Sequence, residues 1–378
     1  MILAQINLTW ALFFSRKIMI SIIKKCKFIF YTSISHAGTT FLFSVLEKNP
    51  NISTIMLNDE LFSYISKDKS KQGRIRGIKK YYRIINNICS QINIKYDSQK
   101  VLRILYDISK YISKEDNYYE YISRLIGQKS SIGIREIIIC LFQAKMLSEK
   151  KTISDNMTPV FIFDPHSRVD AALKHKEIIE LFQDYIFYSS YRNPIYMTAS
   201  SIKSNYYVNL DITKRLIMLN IMGFIQNFSK KWKSKYYISR FEDEKLYPEQ
   251  TFKAICSFLG VSYSDDMLLA NEEGPTCRGY VIKGFDTEPV TRKLNDIFSD
   301  EDIIFLEKIY SKIMSKYHYI DYVEKNIILD ENKMFIKAEK FFKSINRKEF
   351  IFILKEIDKS ISNIGEYFFP RLIEKETI

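Results

Sequence analysis

The chain has 378 residues, of which 46% are hydrophobic and 27% charged, and its formal net charge is +13. This composition supplies a large core and excludes an intrinsically disordered or collagen-like chain, while the length suits one large α/β domain with helical additions or two modest domains. The positive charge fits an anionic partner, such as a nucleotide, an acidic glycan, nucleic acid or a membrane surface, or a codon bias toward Lys, Ile, Asn, Tyr and Phe.

The N-terminus and the cysteines bear on the cellular compartment. Residues 1–14 are apolar but lack a leading positive charge and a signal-peptidase site, and they are too few to span a bilayer. We interpret residues 1–26 as an N-terminal extension with a packed or frayed helix, and a signal anchor is the alternative. The five cysteines are widely spaced, without metal-ligand spacing. Free thiols in a cytoplasmic protein are therefore expected, with Cys140 and Cys256 in the core.

The first recognisable element is a strand, a turn of small residues and a helix. Residues 27–34 form a β-rich apolar run, which predicts a buried strand. The helical pattern that follows residues 35–40 ends at Pro50. Gly38 allows a ligand to approach the backbone, and the amides after it open a helix N-terminus, which favours anion binding. An ordinary helix cap is the alternative, and the Lys of a Walker A motif is missing.

Strand and helix patterns then alternate along the chain. Residues 61–150 show helical spacing and predict a helical insertion. Strands are predicted at 159–164, 185–191 and 235–239, and helices at 209–231 and 248–259. Because alternating strands and helices require crossover connections, we expect a three-layer α/β sandwich with a parallel sheet of about five strands, spanning residues 27–325. Residues 326–378 read as a helical C-terminal extension rich in Lys.

Polar residues follow the predicted strands, where ligands of parallel sheets bind. Arg192 comes directly after the strand at 185–191, and Ser200 lies eight residues later on the next predicted helix. These two side chains can converge on one phosphate group. An exposed arginine and an ordinary helix serine are the alternative reading.

Three motifs in this order resemble the 3′-phosphoadenylyl sulfate (PAPS)-dependent sulfotransferases. They read SHAGTTFL at 35–42, RNPIYMTAS at 192–200 and FEDEKLYP at 241–248, followed by SFLGVSY at 257–263. The family has a K/R-S-G-T-T loop, R-N/D-P-x5-S and Y-E-D-L-x3-P, and the likeness is closer to bacterial, carbohydrate and tyrosyl-protein types than to small-phenol enzymes. It implies the P-loop-like sulfotransferase fold and transfer of a sulfuryl group from PAPS to a hydroxyl or amine, with no metal.

The resemblance also implies roles for individual residues. The loop that would hold the 5′-phosphosulfate consists of His36, Ala37, Gly38, Thr39 and Thr40, with Phe41 beside it. Arg192 and Ser200 would hold the 3′-phosphate, and Phe241 replaces the family's Tyr beside the adenine. A late basic loop usually closes over the donor, and its candidates here are Lys283, Arg292 and Lys293, although the family's R-K-G and Trp patterns are absent.

The catalytic residues depart from the family at one position. His36 stands where the family has Lys or Arg, the cation that stabilises charge on the leaving nucleotide, and an ordinary His is mostly neutral at pH 7. A bound phosphosulfate would favour its charged form. Two residues are candidates for the base that deprotonates the acceptor: Glu60, as in glycan and tyrosyl types, and His166, as in small-molecule types. We favour Glu60.

The acceptor is not encoded in a motif. We expect the helical insertion to shape its pocket, with a glycan or lipid-linked glycan as the first interpretation and a small metabolite as the second. A lipid-linked acceptor would bring the protein to a membrane surface, whereas no nucleic-acid partner is expected because the basic residues are not interleaved with aromatics. The alternative functions are an inactive, sulfotransferase-like scaffold and a nucleotide kinase of related architecture.

Overall fold

The computed structural model describes much of residues 27–319. The described stretches are residues 27–31, 38–56, 96–99, 117–127, 129–151, 160–164, 184–203, 236–269 and 284–319, with isolated positions and short pieces between and after them. Within these stretches no helix has both the length and the apolar character needed to cross a bilayer.

A five-stranded parallel sheet forms the centre of the described structure. Its strands are β1 (Lys27–Tyr31), β2 (Ile52–Met56), β3 (Val160–Asp164), β4 (Tyr185–Tyr191) and β5 (Tyr236–Arg240). They lie in the order β2-β3-β1-β4-β5, and every neighbouring pair is parallel. The segments that follow all five strands therefore emerge at the same edge of the sheet. Since β3 and β4 lie on opposite sides of β1, the order reverses there, which is where open α/β sheets bind ligands.

Helices connect the strands and cover the sheet. They are α1 (Thr39–Leu46), α2 (Tyr118–Gly127), α3 (Ile134–Ser148), α4 (Pro194–Lys203), α5 (Phe241–Leu246), α6 (Pro248–Leu259), α7 (Glu288–Thr291) and α8 (Asp300–Lys316). The ends of α6 follow the usual sequence preferences: Pro248 occupies its first turn, and Gly260 ends it in the left-handed conformation with φ 74°.

One face of the sheet packs against α1 and α6. Ile29 and Tyr31 of β1 lie in a buried cluster with apolar residues from both helices. Those residues are Phe41, Leu42, Phe43, Val45 and Leu46 of α1, and Phe252, Ile255, Cys256 and Leu259 of α6. Because Gly38 is the residue before α1, this packing also holds the start of α1 close to the carboxyl ends of β1 and β5.

The opposite face of the sheet packs against α3. Side chains alternate along a strand, so Phe28 and Phe30 point away from Ile29 and Tyr31. The Phe28 ring meets Phe142 of α3 edge to face, with centroids 5.5 Å apart, and stacks on Phe182 at 3.8 Å. Burying an aromatic side chain of this kind contributes about 1.5–3 kcal/mol. Helices thus cover both faces of the sheet in the part of the chain that is described.

The structure confirms the predicted α/β class and the parallel sheet. The predicted strands at 27–34, 159–164, 185–191 and 235–239 correspond to β1, β3, β4 and β5 within one or two residues where they are described, and the predicted helix at 248–259 is α6. The cysteines Cys140 and Cys256 are buried and free, as predicted. The helix predicted at 209–231 and most of the two terminal extensions lie outside the described residues.

Two elements differ from the sequence analysis. The edge strand β2 was not predicted, because Ser53 and Thr54 interrupt its apolar residues. The segment 61–150 was predicted as helical, yet a short antiparallel ladder pairs Tyr96–Asp97 with Ser131–Ile132 inside it. That segment also contains α3, which packs on the sheet itself.

Candidate functional site

Gly38 lies at the start of α1, at the carboxyl edge of the sheet. Its backbone has φ 91° and ψ 14°, in the left-handed region, and its carbonyl accepts the first hydrogen bond of the helix from the Leu42 amide at 3.0 Å. The Phe241 ring occupies the space where a side chain at position 38 would lie. Only glycine satisfies both the backbone angle and the close approach of this ring. The first turn of α1 therefore begins directly against α5.

We expect Gly38→Ala to lower the free energy of unfolding by at least about 1–3 kcal/mol, because it adds backbone strain and collides with Phe241. Denaturant unfolding measures the change. Gly127→Ala is the matched control, since a Cβ there meets only Leu102 at an ordinary 3.7 Å and no positive φ opposes it. Equal unfolding free energies for the two variants would contradict the assigned role of Gly38.

Arg192 follows β4 and lies on the same edge. Only 4% of this residue is exposed, its guanidinium donates to the Pro289 carbonyl at 2.6 Å, and its Cζ lies 4.8 Å from the centroid of the Phe241 ring. Burial lowers the Arg192 pKa to about 10, against the opposing influence of Glu242. The guanidinium therefore keeps its charge at neutral pH, next to the ring that covers Gly38.

Arg292 brings a second guanidinium to the same place. It follows α7, its side chain is 11% exposed, and it pairs with Glu288 at 3.1 Å. Tyr196 of α4 donates to the Arg292 carbonyl at 3.4 Å, which ties this segment to the helix after Arg192. The charge of Arg292 is among the influences that lower the Arg192 pKa. Its Nε is buried and has no hydrogen-bond partner among the described residues.

The Glu242 side chain links the turns that follow β4 and β5. Glu242 accepts the Asn193 amide at 2.9 Å and the Tyr319 hydroxyl at 3.1 Å. Burial raises the Glu242 pKa, and the bond from the Asn193 amide and the charge of nearby Arg192 oppose that rise. Arg240 is held by Asp243 through two nitrogens, at 2.8 and 2.5 Å. The backbone that carries Arg192 and Phe241 is therefore fixed by side chains rather than by loop packing alone.

Lys245 is a cation of the site that sequence reasoning missed. The residue is 5% exposed, its ammonium donates to the Gly284 carbonyl, and its Nζ lies 3.6 Å from the centroid of the Phe41 ring. Phe41 in turn meets Phe241 edge to face at 5.9 Å. The only signal in the sequence was the motif itself, because the run Glu242–Lys245 reads as a solvated helix turn.

A second buried carboxyl lies beneath this layer. Glu244 accepts hydrogen bonds from Ser190 at 2.9 Å and Ser239 at 2.6 Å, and the Ser239 hydroxyl also bonds Tyr188 at 2.8 Å. Burial raises the Glu244 pKa to about 8. The carboxyl is thus mostly protonated at pH 7, and it adds no full negative charge to a site that holds three cations.

The structure brings together five of the predicted donor-binding residues: Gly38, Phe41, Arg192, Phe241 and Arg292. Thr39 is buried, with its hydroxyl 3.5 Å from the Tyr31 hydroxyl, and Thr40 lies in the first turn of α1. Ser200 lies partly buried on α4, and Lys293 is exposed beside Arg292. His36, Ala37, Glu60, His166 and Lys283 lie outside the described residues.

Comparisons with known proteins gave structural matches alone. No protein-family model and no curated protein sequence matches the chain. The chain is similar to a sulfotransferase domain from the curacin biosynthetic pathway, with 14% identity, a TM-score of 0.43, and coverage of 78% of this chain and 98% of that one.

Two further solved structures are similar at comparable levels. One is a sulfotransferase domain from the Synechococcus PCC 7002 olefin synthase, with 14% identity, a TM-score of 0.37, and coverage of 84% of this chain and 94% of that one. The other is a sulfotransferase from Alicyclobacillus acidocaldarius, with 12% identity, a TM-score of 0.36, and coverage of 77% of this chain and 96% of that one. All three TM-scores lie below 0.5.

Proposed function

We propose that this chain is a sulfotransferase that transfers a sulfuryl group from PAPS to a hydroxyl or amine of an acceptor. The observation that carries the proposal is the contact of Gly38, Phe241 and Arg192, which come from three motifs spread over about 200 residues of sequence. These motifs resemble one family in order and spacing, and the fold brings them to a single edge of the sheet.

The cations of the site suit a nucleotide with phosphates at both ends of its ribose. Arg192 lies over the Phe241 ring, the charge of nearby Arg292 acts on it, and guanidinium forks match phosphate geometry. The start of α1, with Gly38 and the amides after it, provides a second anion site through backbone donors and the helix dipole. Arg192 is proposed for the 3′-phosphate, with Ser200, and the start of α1 for the 5′-phosphosulfate.

Residues of the chain also suit the chemistry of transfer. When the acceptor oxygen bonds to sulfur, the bond from sulfur to the 5′-phosphate oxygen breaks and leaves its electron pair on that oxygen. Backbone donors at the start of α1, with His36 in its protonated form, stabilise this negative charge. Glu60 takes the proton of the acceptor as general base, in preference to His166. Positioning by fixed donors then supplies much of the rate, and the proposal requires no metal ion.

Two experiments test the proposal. A thermal-shift screen compares 3′-phosphoadenosine 5′-phosphate, ATP and ADP, and we expect the 3′-phosphorylated nucleotide to raise the melting temperature most. A screen of glycans, glycolipids and small metabolites with PAPS carrying labelled sulfur then identifies the acceptor by transferred label. A larger shift with ATP would favour a nucleotide kinase, and nucleotide binding without transfer to any acceptor would favour an inactive scaffold.

A further inference from the structure

Lys245 is a buried cation within the cluster of rings at the start of α1. Its Nζ lies 3.6 Å from the Phe41 centroid and 5.7 Å from the Phe241 centroid. Phe41 is in the first turn of α1, three residues after Gly38, so this ammonium lies near the amides that open the helix. Arg192 approaches the same Phe241 ring at 4.8 Å, and two cations therefore border one aromatic side chain.

This ammonium has no close counter-ion. Among the described residues no carboxylate oxygen lies within 4.0 Å of the Lys245 Nζ, although the residue is 5% exposed. Asp286 and Glu244 raise its pKa through space and Arg192 lowers it, but burial has the largest effect and lowers the pKa to about 8. Burying an ammonium without an anion destabilises a fold, so an apolar side chain would serve the folded state better here.

We propose that Lys245 is a donor-binding residue whose ammonium pairs with the anionic 5′ end of the nucleotide at the start of α1. This inference rests on the proposed function and deepens it, because it assigns a further cation to the 5′ end of the nucleotide, for which the resemblance gives His36 in place of the family's Lys or Arg. The bound anion supplies the close counter-charge that no described residue provides. The Gly284 carbonyl and the face of Phe41 hold the ammonium in place before the nucleotide binds.

The assignment to the 5′ end separates the effect of Lys245 from that of Arg192. Both 3′-phosphoadenosine 5′-phosphate and ADP carry phosphate at the 5′ position, and only the first carries a 3′-phosphate. Removing the Lys245 charge should weaken both nucleotides by the same factor, about tenfold or more, and leave the ratio of their affinities unchanged. Removing Arg192 should change that ratio.

The stability of the unliganded protein provides a second readout. Lys245→Met keeps the length and the apolar contacts of the side chain and removes the charge. Since no described carboxylate pairs closely with that buried charge, the variant should melt a few degrees higher than the wild type while binding nucleotide more weakly. A residue with a purely structural role would lower the melting temperature when replaced.

The experiment is calorimetric titration of both nucleotides into the wild type, Lys245→Met and Lys253→Met. Lys253 is the matched control, because it is an exposed lysine on the adjacent helix α6, paired with Glu249 at 2.5 Å. Lys245→Gln serves as a second neutral variant if the methionine variant does not fold. A third readout is the pH dependence of affinity: in the wild type it should fall between pH 7.5 and 9.5 as Lys245, near Asp286 and Arg192, loses its proton and Glu244 ionises. Lys245→Met should show a smaller fall, because only Glu244 then titrates in this range.

Weaker binding of both nucleotides, an unchanged ratio and a higher melting temperature would support the inference. Lys245→Met affinities within twofold of the wild type would overturn it while leaving the proposed function intact, and so would weaker binding with a lower melting temperature. If the wild type itself binds neither nucleotide, the proposed function fails, and this inference fails with it.

Discussion

Glu60→Gln is expected to reduce the single-turnover rate of sulfuryl transfer by about 10²–10⁴-fold, which is the usual contribution of a general base. Gln keeps the shape of the side chain and its hydrogen-bonding ability, but it cannot accept the proton of the acceptor. Nucleotide affinity should stay within about twofold, because Glu60 is assigned to the acceptor side. Rapid-quench measurement with saturating labelled donor gives the rate.

His166→Asn is the comparison variant for this prediction. Both residues are placed by the sequence resemblance alone, since both lie outside the described residues. We expect His166→Asn to cost much less than Glu60→Gln, through positioning of the acceptor. If His166→Asn abolishes transfer and Glu60→Gln stays within a few-fold of the wild type, the base is His166 and the small-molecule branch of the family is the better model.

Glu244→Gln is expected to stabilise the protein increasingly as the pH rises from about 4.5 to 8. The Glu244 pKa is about 8 in the folded protein and near its ordinary value of 4.5 in the unfolded chain. Below pH 4.5 both states hold the proton and the carboxyl costs nothing. Above it the unfolded chain loses the proton first, so wild-type stability falls as the pH approaches 8. At about 1.36 kcal/mol per pKa unit, the loss amounts to about 3–5 kcal/mol.

The measurement is denaturant unfolding of both proteins at several pH values. The glutamine side chain has no titrating group, so the difference between variant and wild type should be small at pH 4.5 and largest near pH 8. Glu249→Gln is the matched control, because Glu249 is exposed on α6 and forms only a surface pair with Lys253. A constant difference across this range would show that Glu244 is ionised in the folded protein.

The protonation of Glu244 also matters for the charge of the site. Ser190 and Ser239 hold one of its oxygens, and the other has no hydrogen-bond partner among the described residues. A neutral carboxyl leaves the positive field of Lys245 and Arg192 intact, so that field acts on the bound nucleotide. An ionised carboxylate there would instead compete with the ligand for both cations.

Much of the sheet was predictable from local patterns. Four of its five strands are short β-rich runs, and the residues that follow them mark where each one ends. The fifth strand, β2, was not predictable, because Ser53 and Thr54 are polar residues and the sequence does not show that the fold buries them. The Thr54 carbonyl accepts a bond from Lys145 of α3 at 2.6 Å, a contact across 91 residues of sequence.

The residues of the site were predictable only where they belong to recognisable sequence motifs. Gly38, Arg192 and Phe241 were singled out from the sequence, and the structure places them in contact. Lys245 was missed because its contact with the Gly284 carbonyl spans more than 35 residues of sequence. Helical spacing describes one element at a time and carries no information about such a contact.

Calorimetric titration of 3′-phosphoadenosine 5′-phosphate and ADP into the wild type and Arg192→Ala tests the central claim most directly. A charge-assisted arginine contact to phosphate is worth about 1.5–3 kcal/mol, so the wild type should prefer the 3′-phosphorylated nucleotide at least about tenfold. Arg192→Ala should erase that preference, and Arg124→Ala, which removes an exposed arginine of α2, should retain it. Equal wild-type affinity for the two nucleotides would contradict a site built for PAPS.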